Sequence, residues 1–150
     1  MGLDQWLRSN QRDEVAYWRK ANQIHGWFER KLGQVRNQRM HPVKLSDLED
    51  LLDTCIHVKD YLIAGGTRLE ERVIERSFKD GELIEEKGYV PIYKNQAKAL
   101  ELLPPTPGFF FGSYDIDQWY LRDIEETIEK LAEVLSTKVK GERFYYRAWW

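Results

Sequence analysis

Cysteine is almost missing from this sequence: Cys55 is the only one in 150 residues. One thiol excludes an intrachain disulfide and a structural zinc site of the multi-cysteine kind. Secreted domains more often carry paired cysteines, so the expected compartment is reducing cytoplasm. No apolar run approaches the length that spans a bilayer, so no membrane partner is expected. The opening residues have neither the basic segment nor the apolar stretch of a signal peptide. Charge of a single sign is missing as well. Lys and Arg number 23 against 25 Asp and Glu, a formal net charge of -2, which removes any general pull toward nucleic acid.

Catalytic signatures are also absent. There is no Walker loop, no Gly-x-Ser-x-Gly elbow, no dinucleotide fingerprint and no zincin helix. Neither a cofactor nor a metal is expected. His25 and Glu29 stand at the i, i+4 spacing of a two-ligand metal face, but His41 and His57 supply no matching motif. Cys55 falls on an apolar helical stripe, as an inert core thiol does.

What is abundant is aromatic. Phe, Tyr and Trp make up 13% of the chain, six of them Trp, gathered at both ends and around residues 109–120. The 42% hydrophobic content and the length suit one globular domain, residues 1–150. A short strand is expected over residues 3–8. Tyr17, Ala21, Ile24, Phe28 and Leu32 share a stripe, which predicts one helix from Asp13 to Leu32, stopped by Gly33. A second short strand is expected over residues 41–45. Ser46-Asp47-Leu48-Glu49 reads as a capping box before a helix with Leu48, Leu51, Leu52, Cys55, Val58 and Leu62 inward.

Thr67-Arg68-Leu69-Glu70 repeats that signature and predicts a third helix to about Ser77. The competing reading is a hairpin turning at Asp80-Gly81. Residues 95–103 suggest a short helix halted by Pro104-Pro105. Asp115 is placed to cap a long helix with Tyr120, Ile124, Ile128, Leu131 and Leu135 inward. Phe144, Tyr146, Ala148 and Trp150 alternate with Tyr145, Arg147 and Trp149, a terminal strand. The fold class is therefore α+β: several helices packed on a small antiparallel sheet that includes the N- and C-terminal strands.

Three segments carry candidate binding chemistry. On a helix, Trp18, Asn22, His25 and Glu29 would line one flank, an aromatic plate beside an amide and an imidazole. Such a flank stacks a planar ligand and hydrogen-bonds its edge; the alternative is ordinary boundary packing. Gly112-Ser113 precede a helix N-terminus, where free N–H groups attract a polar ligand edge, although Asp115 would occupy those donors. Phe109, Phe110 and Phe111 are expected to pack alternately inward. At the C-terminus, Tyr145, Arg147 and Trp149 have the composition of an interaction hot spot.

The opening Met-Gly-Leu-Asp, the segment Ala16-Tyr17-Trp18-Arg19-Lys20-Ala21-Asn22 with Ile24-His25 and Trp27-Phe28, the stretch from Leu103-Pro104 to Gly108-Phe109-Phe110-Phe111-Gly112-Ser113, and the Tyr145-Tyr146 to Trp150 ending together resemble a family of small phage and prophage proteins. That resemblance implies a virus-encoded accessory protein acting in the cytoplasm of a bacterial host. The expected function is non-catalytic: binding a host protein or a small nucleotide-like signal, to counter an antiviral defence. The expected ligand site is Trp18, Arg19, Lys20, Asn22, His25, Ser113 and Trp149. Two other readings stand beside it. One is a small nucleotide- or nucleic-acid-processing enzyme with His25 as general base. The other is a minor structural or assembly protein of the phage particle. A homodimer through the edge of the C-terminal strand is a further expectation.

Overall fold

The structure, a computed structural model, describes residues 2–108 and 111–150. The two terminal segments form its spine. Strand β1 (Asp4–Ser9) pairs antiparallel with β6 (Phe144–Trp149), Leu7 opposite Tyr146 and Gln5 opposite Ala148. Strand β2 (Asp13–Arg19) adds to the free side of β1, and β3 (His41–Val43) to the free side of β6. The sheet order is β2-β1-β6-β3. Period-two alternation sends Gln5, Leu7, Ala16, Trp18, Phe144, Tyr146 and Ala148 to the inner face. Trp6, Tyr17, Tyr145 and Arg147 lie on the outer face, where the Arg147 guanidinium stands 5.2 Å from the Trp6 ring.

Because β6 has a neighbour on each side, it offers no edge to a second copy. Beyond β3, the Gln38 N–H donates to the Ala148 carbonyl at 2.8 Å, so the C-terminal strand lacks the free edge on which the expected homodimer rests.

The expected helix from Asp13 to Leu32 is two elements. Ala16 and Trp18 alternate with exposed Tyr17 as β2, and helix α1 covers only Asn22–Leu32. Between them Lys20 takes φ +56, a left-handed corner without a glycine to announce it. Ile24 and Phe28 then face the sheet, and Phe28 stacks on Tyr146 at 3.9 Å. Gly33, at φ +84, ends the helix as expected.

Helix α2 (Leu45–Gly65) buries Leu48, Leu51, Cys55, Val58 and Leu62. Its cap lies two residues earlier than the Ser46 box: Lys44 N–H donates to the Asp47 carboxylate at 3.1 Å. Helix α4 (Gln118–Thr137) packs beside it and buries Tyr120, Leu121, Ile124, Leu131 and Val134. Asp117, not Asp115, caps α4, its Oδ1 accepting from the N–H groups of Trp119 and Tyr120 at 3.0 and 3.1 Å. Helix α3 (Ala97–Leu102) is the short helix expected before Pro104.

The predicted third helix does not form. Residues 67–93 are a long hairpin, β4 (Thr67–Lys79) and β5 (Glu82–Tyr93), closed at Asp80-Gly81. Both turn residues have positive φ, +53 and +79, as a two-residue hairpin turn demands. The arm is almost wholly exposed. At the base β5 touches α2 and α4, and from β4 the Arg72 guanidinium reaches Asp115. Phe109 and Phe110 lie outside the described residues, while Phe111 is buried, in keeping with an inward-packing loop. Among the described residues no helix is long and apolar enough to cross a membrane.

Candidate functional site

The corner between β2 and α1 meets the segment leading into α4, and a cleft of about 270 Å³ opens between them. Arg19, Lys20, Asn22 and Gln23 line one wall; Gly112, Ser113, Asp115 and Asp117 line the other. Trp119, Tyr120 and Asp123 from α4 complete it. Four of the expected ligand residues, Arg19, Lys20, Asn22 and Ser113, are thus brought together.

Local chemistry explains how the walls are held. The Asn22 side chain is buried and fully used: its Nδ2 donates to the carbonyls of Phe111 at 2.9 Å and Ser113 at 3.1 Å. Its Oδ1 accepts the Thr106 N–H at 2.8 Å. Asn22 therefore pins the 106–113 loop across the start of α1, and it presents structure rather than free donors. Gly112, at φ +92, lies against the Lys20 carbonyl, where a Cβ would stand 3.4 Å away. The left-handed Lys20 and the left-handed Gly112 are two halves of one close approach.

The electrostatics are mixed by position. Arg19 and Lys20 form a cationic, exposed rim. Asp115 is occupied, gripped by the Arg72 guanidinium through two bonds of 3.0 Å each. Asp117 is occupied as the helix cap. Asp123 is the third acid of the cleft, and the Gln23 amide faces it. Burial pushes its carboxyl up to about 6, against the smaller opposing pull of the Gln23 amide, with Glu126 adding to the rise. Trp119 lines the cleft and is 58% exposed, with the Arg122 guanidinium 5.8 Å from its ring centre. The set offers anion recognition at one end, a proton-accepting or donating carboxyl in the floor, and a plate for stacking.

The other expected residues lie elsewhere. Trp18 points inward from β2, its Nε1 donating to Thr127 Oγ1 at 2.8 Å. His25 is fully buried, ringed by Phe111 and Trp150 at 5.4 and 5.0 Å between ring centres. Its Nδ1 meets the Tyr146 hydroxyl at 2.8 Å and its Nε2 meets Glu29 at 3.0 Å. The Tyr146 hydroxyl donates onward to Gln5 at 2.8 Å, and Gln5 donates to the Ala21 carbonyl at 3.0 Å. Burial lowers the His25 basicity, with Glu29 pulling the other way. This imidazole has no open side to offer a substrate. Trp149 borders a separate, smaller opening of about 180 Å³ with Gly2, Asp4 and Trp150.

Gln23, Asp123 and Trp119 escaped the sequence reading as site residues. The latter two sit on a helix face about a hundred residues from Lys20, so only the topology joins them. Among the described residues no group of three or more His, Cys, Asp or Glu side chains is placed to hold a metal ion. Burial raises the Cys55 thiol far above its ordinary value, which keeps it an unreactive neutral thiol. Comparison of the chain with protein-family models, with curated proteins and with solved structures finds no match.

Proposed function

We propose that this protein is a non-catalytic binding module that holds a small nucleotide-like ligand in the cleft between the Arg19–Gln23 corner and the Gly112–Asp123 segment. The observation that carries this reading is that Lys20 and Arg19, the partly buried Asp123 carboxyl and the exposed Trp119 indole line one cleft. An anionic group is attracted to the two cations. A donor-bearing heterocycle edge suits Asp123, and its face suits Trp119. The cleft volume lies near the lower end of small-molecule sites, which fits a single nucleotide unit better than a polymer. Capture rather than turnover is favoured because both hydroxyl-bearing side chains of the wall are engaged with backbone: Ser113 Oγ accepts the Asp115 N–H at 3.1 Å, and the Tyr120 hydroxyl donates to the Leu103 carbonyl at 2.7 Å.

The resemblance to small phage and prophage proteins sets this capture in a bacterial host. There, withdrawal of a nucleotide signal would blunt an antiviral response. A second reading, a host protein as target, is favoured by the outer sheet face. Trp6 and Tyr17 lie 5.7 Å apart there, with Arg147 over Trp6.

Calorimetric titration with a panel of linear and cyclic mono- and dinucleotides tests the first reading. Saturable one-to-one binding that Lys20→Ala weakens at least tenfold, with no product formed, supports it. Flat titrations across the panel reject it and leave the outer face as the surface to pursue.

A further inference from the structure

The hairpin arm is unusual in being long, exposed and unprotected along one side. Strand β5 is bridged near its base to Asp117, and the Tyr93 N–H donates to the Ile116 carbonyl at 3.0 Å. Strand β4 has β5 as its one strand partner among the described residues. No second strand covers its outer edge among the described residues, although the Arg72 guanidinium takes the Glu71 carbonyl at 2.9 Å. Two-stranded ribbons are marginal alone in water, and such an edge is a template for further pairing. The strand is charged at Arg68, Glu70, Glu71, Arg72, Glu75, Arg76 and Lys79, which discourages indiscriminate pairing and leaves room for a partner of matching charge order, while Leu69 is 68% exposed and Phe78 78%.

What covers this edge is written in β4 itself. The register of the arm has one irregularity, a bulge between Val73 and Glu75. On regular β5, residues 83, 85, 87, 89 and 91 share a face, and their partners are Phe78, Arg76, Val73, Glu71 and Leu69. On the other face lie Arg68, Glu70, Arg72, Glu75, Ser77 and Lys79. The bulge therefore puts Glu71 and Arg76 on one face, where an unbroken strand would put them on opposite faces.

We infer that β4 pairs antiparallel with β4 of a second copy, about a two-fold axis normal to the sheet between Val73 and Ile74, making a continuous sheet β5-β4-β4-β5. A two-fold axis in that orientation keeps each face on its own side. The register it sets places Leu69 against Phe78, Glu71 against Arg76, Arg72 against Glu75 and Glu70 against Ser77. Leu69 meets Phe78, Glu71 meets Arg76, and Arg72, which Glu70 and Asp115 also hold in its own chain, faces Glu75; each pair occurs twice, and the two members of a pair share a face. Only Arg68 against Lys79, at the ends, joins like charges. Glu75 gains most, because within its own chain it faces Glu86 and has no cation within ion-pair distance among the described residues. Neighbouring registers lose this match: a two-fold at Val73 brings Glu71 against Glu75, and one at Ile74 brings Arg72 against Arg76. This pairing stands independently of the ligand cleft.

The test is the mass in solution of the full chain and of two charge variants, by light scattering over a concentration series. The wild-type protein is expected at twice its 17.9 kDa chain mass in the high-micromolar range. Glu71→Arg alone and Arg76→Glu alone each oppose like charges twice and are expected at the chain mass. An equimolar mixture of the two variants restores both opposite-charge pairs and is expected to return to the doubled mass. That recovery also shows that both arms are folded. A wild-type protein at single-chain mass throughout overturns the proposal. So does a dimer that survives in either variant alone, or a mixture that stays at single-chain mass.

Discussion

The indole N–H of Trp18 donates to Thr127 Oγ1 at 2.8 Å, and the Thr127 hydroxyl donates in turn to the Asp123 carbonyl at 2.7 Å. A side chain with the composition of a ligand plate is thereby a tie between β2 and α4. Trp18 is 2% exposed and meets the Phe28 ring edge-on at 6.4 Å. Trp18→Ala is expected to cost about 3–5 kcal/mol, a large share of a small domain's stability. Trp18→Phe keeps most of the apolar contact and is expected to cost about 1–2 kcal/mol through the lost hydrogen bond. Urea unfolding of both variants checks this. A Trp18→Ala protein as stable as the wild type would remove Trp18 from the core.

Tyr146 supports a second buried tie. Its hydroxyl serves both His25 and Gln5, and among the described residues no buried side-chain nitrogen or oxygen lacks a partner. Tyr146→Phe leaves the Gln5 carbonyl and the His25 Nδ1 without theirs in an apolar interior. The expected loss is about 2–3 kcal/mol, measured as a lower urea midpoint at unchanged slope. A midpoint shift worth less than about 0.5 kcal/mol would show that the network carries no stability.

Lys20 sets stability against binding. A lysine at φ +56 pays a steric cost that glycine does not. Lys20→Gly is expected to hold or raise stability, by about 0.5–1 kcal/mol, while removing a rim cation from the cleft. Thermal unfolding and ligand titration together read both effects. A lower melting temperature would mean that the Lys20 side chain is itself structural.

Much of the frame is legible in the amino-acid order because burial imposes a simple period. Phe144, Tyr146 and Ala148 alternate, Tyr120, Ile124 and Leu131 recur at helical spacing, and both segments fold accordingly. The failures have local causes. Tyr17, Ala21, Ile24 and Phe28 satisfy helical spacing by coincidence, and the corner that divides them falls on Lys20, which carries no turn signal. Thr67 to Glu70 imitates a helix cap, yet Asp80-Gly81 and the β-branched Val73-Ile74 win as a hairpin. In the cleft, Arg19, Lys20 and Asn22 are legible as polar residues beside an apolar stripe, although on a helix that turns out to be divided, and Ser113 as a residue ahead of a helix N-terminus. Asp123 and Trp119 are not, since on their own helix they are an ordinary polar residue and a surface aromatic.

Asp123 gives the cleft a pH signature. Its folded carboxyl is held up to about 6, against 3.8 as a free group. Between those values the folded protein binds a proton that the unfolded chain has already released. Its stabilising contribution is therefore present below about pH 4, and it is lost as pH rises through 6. Asp123→Asn removes that loss and is expected to stabilise the protein by about 1–2 kcal/mol at pH 7.5, solvent screening at a partly exposed group holding the effect below that of a fully buried one. The difference from wild type should shrink as pH falls from 7 toward 4. A difference that is flat with pH would mean that the Asp123 carboxyl titrates alike in the folded and unfolded chains.

The most direct test of ligand capture is a native mass spectrum of the protein purified gently from bacterial cells, taken beside Lys20→Gly and Asp123→Asn prepared in the same way. The wild-type chain is expected to carry one discrete added mass of nucleotide size, and both variants to lose most of it while keeping their folded charge distribution. A bare wild-type chain, or an adduct that both variants retain in full, would contradict the assignment of this cleft as the binding site.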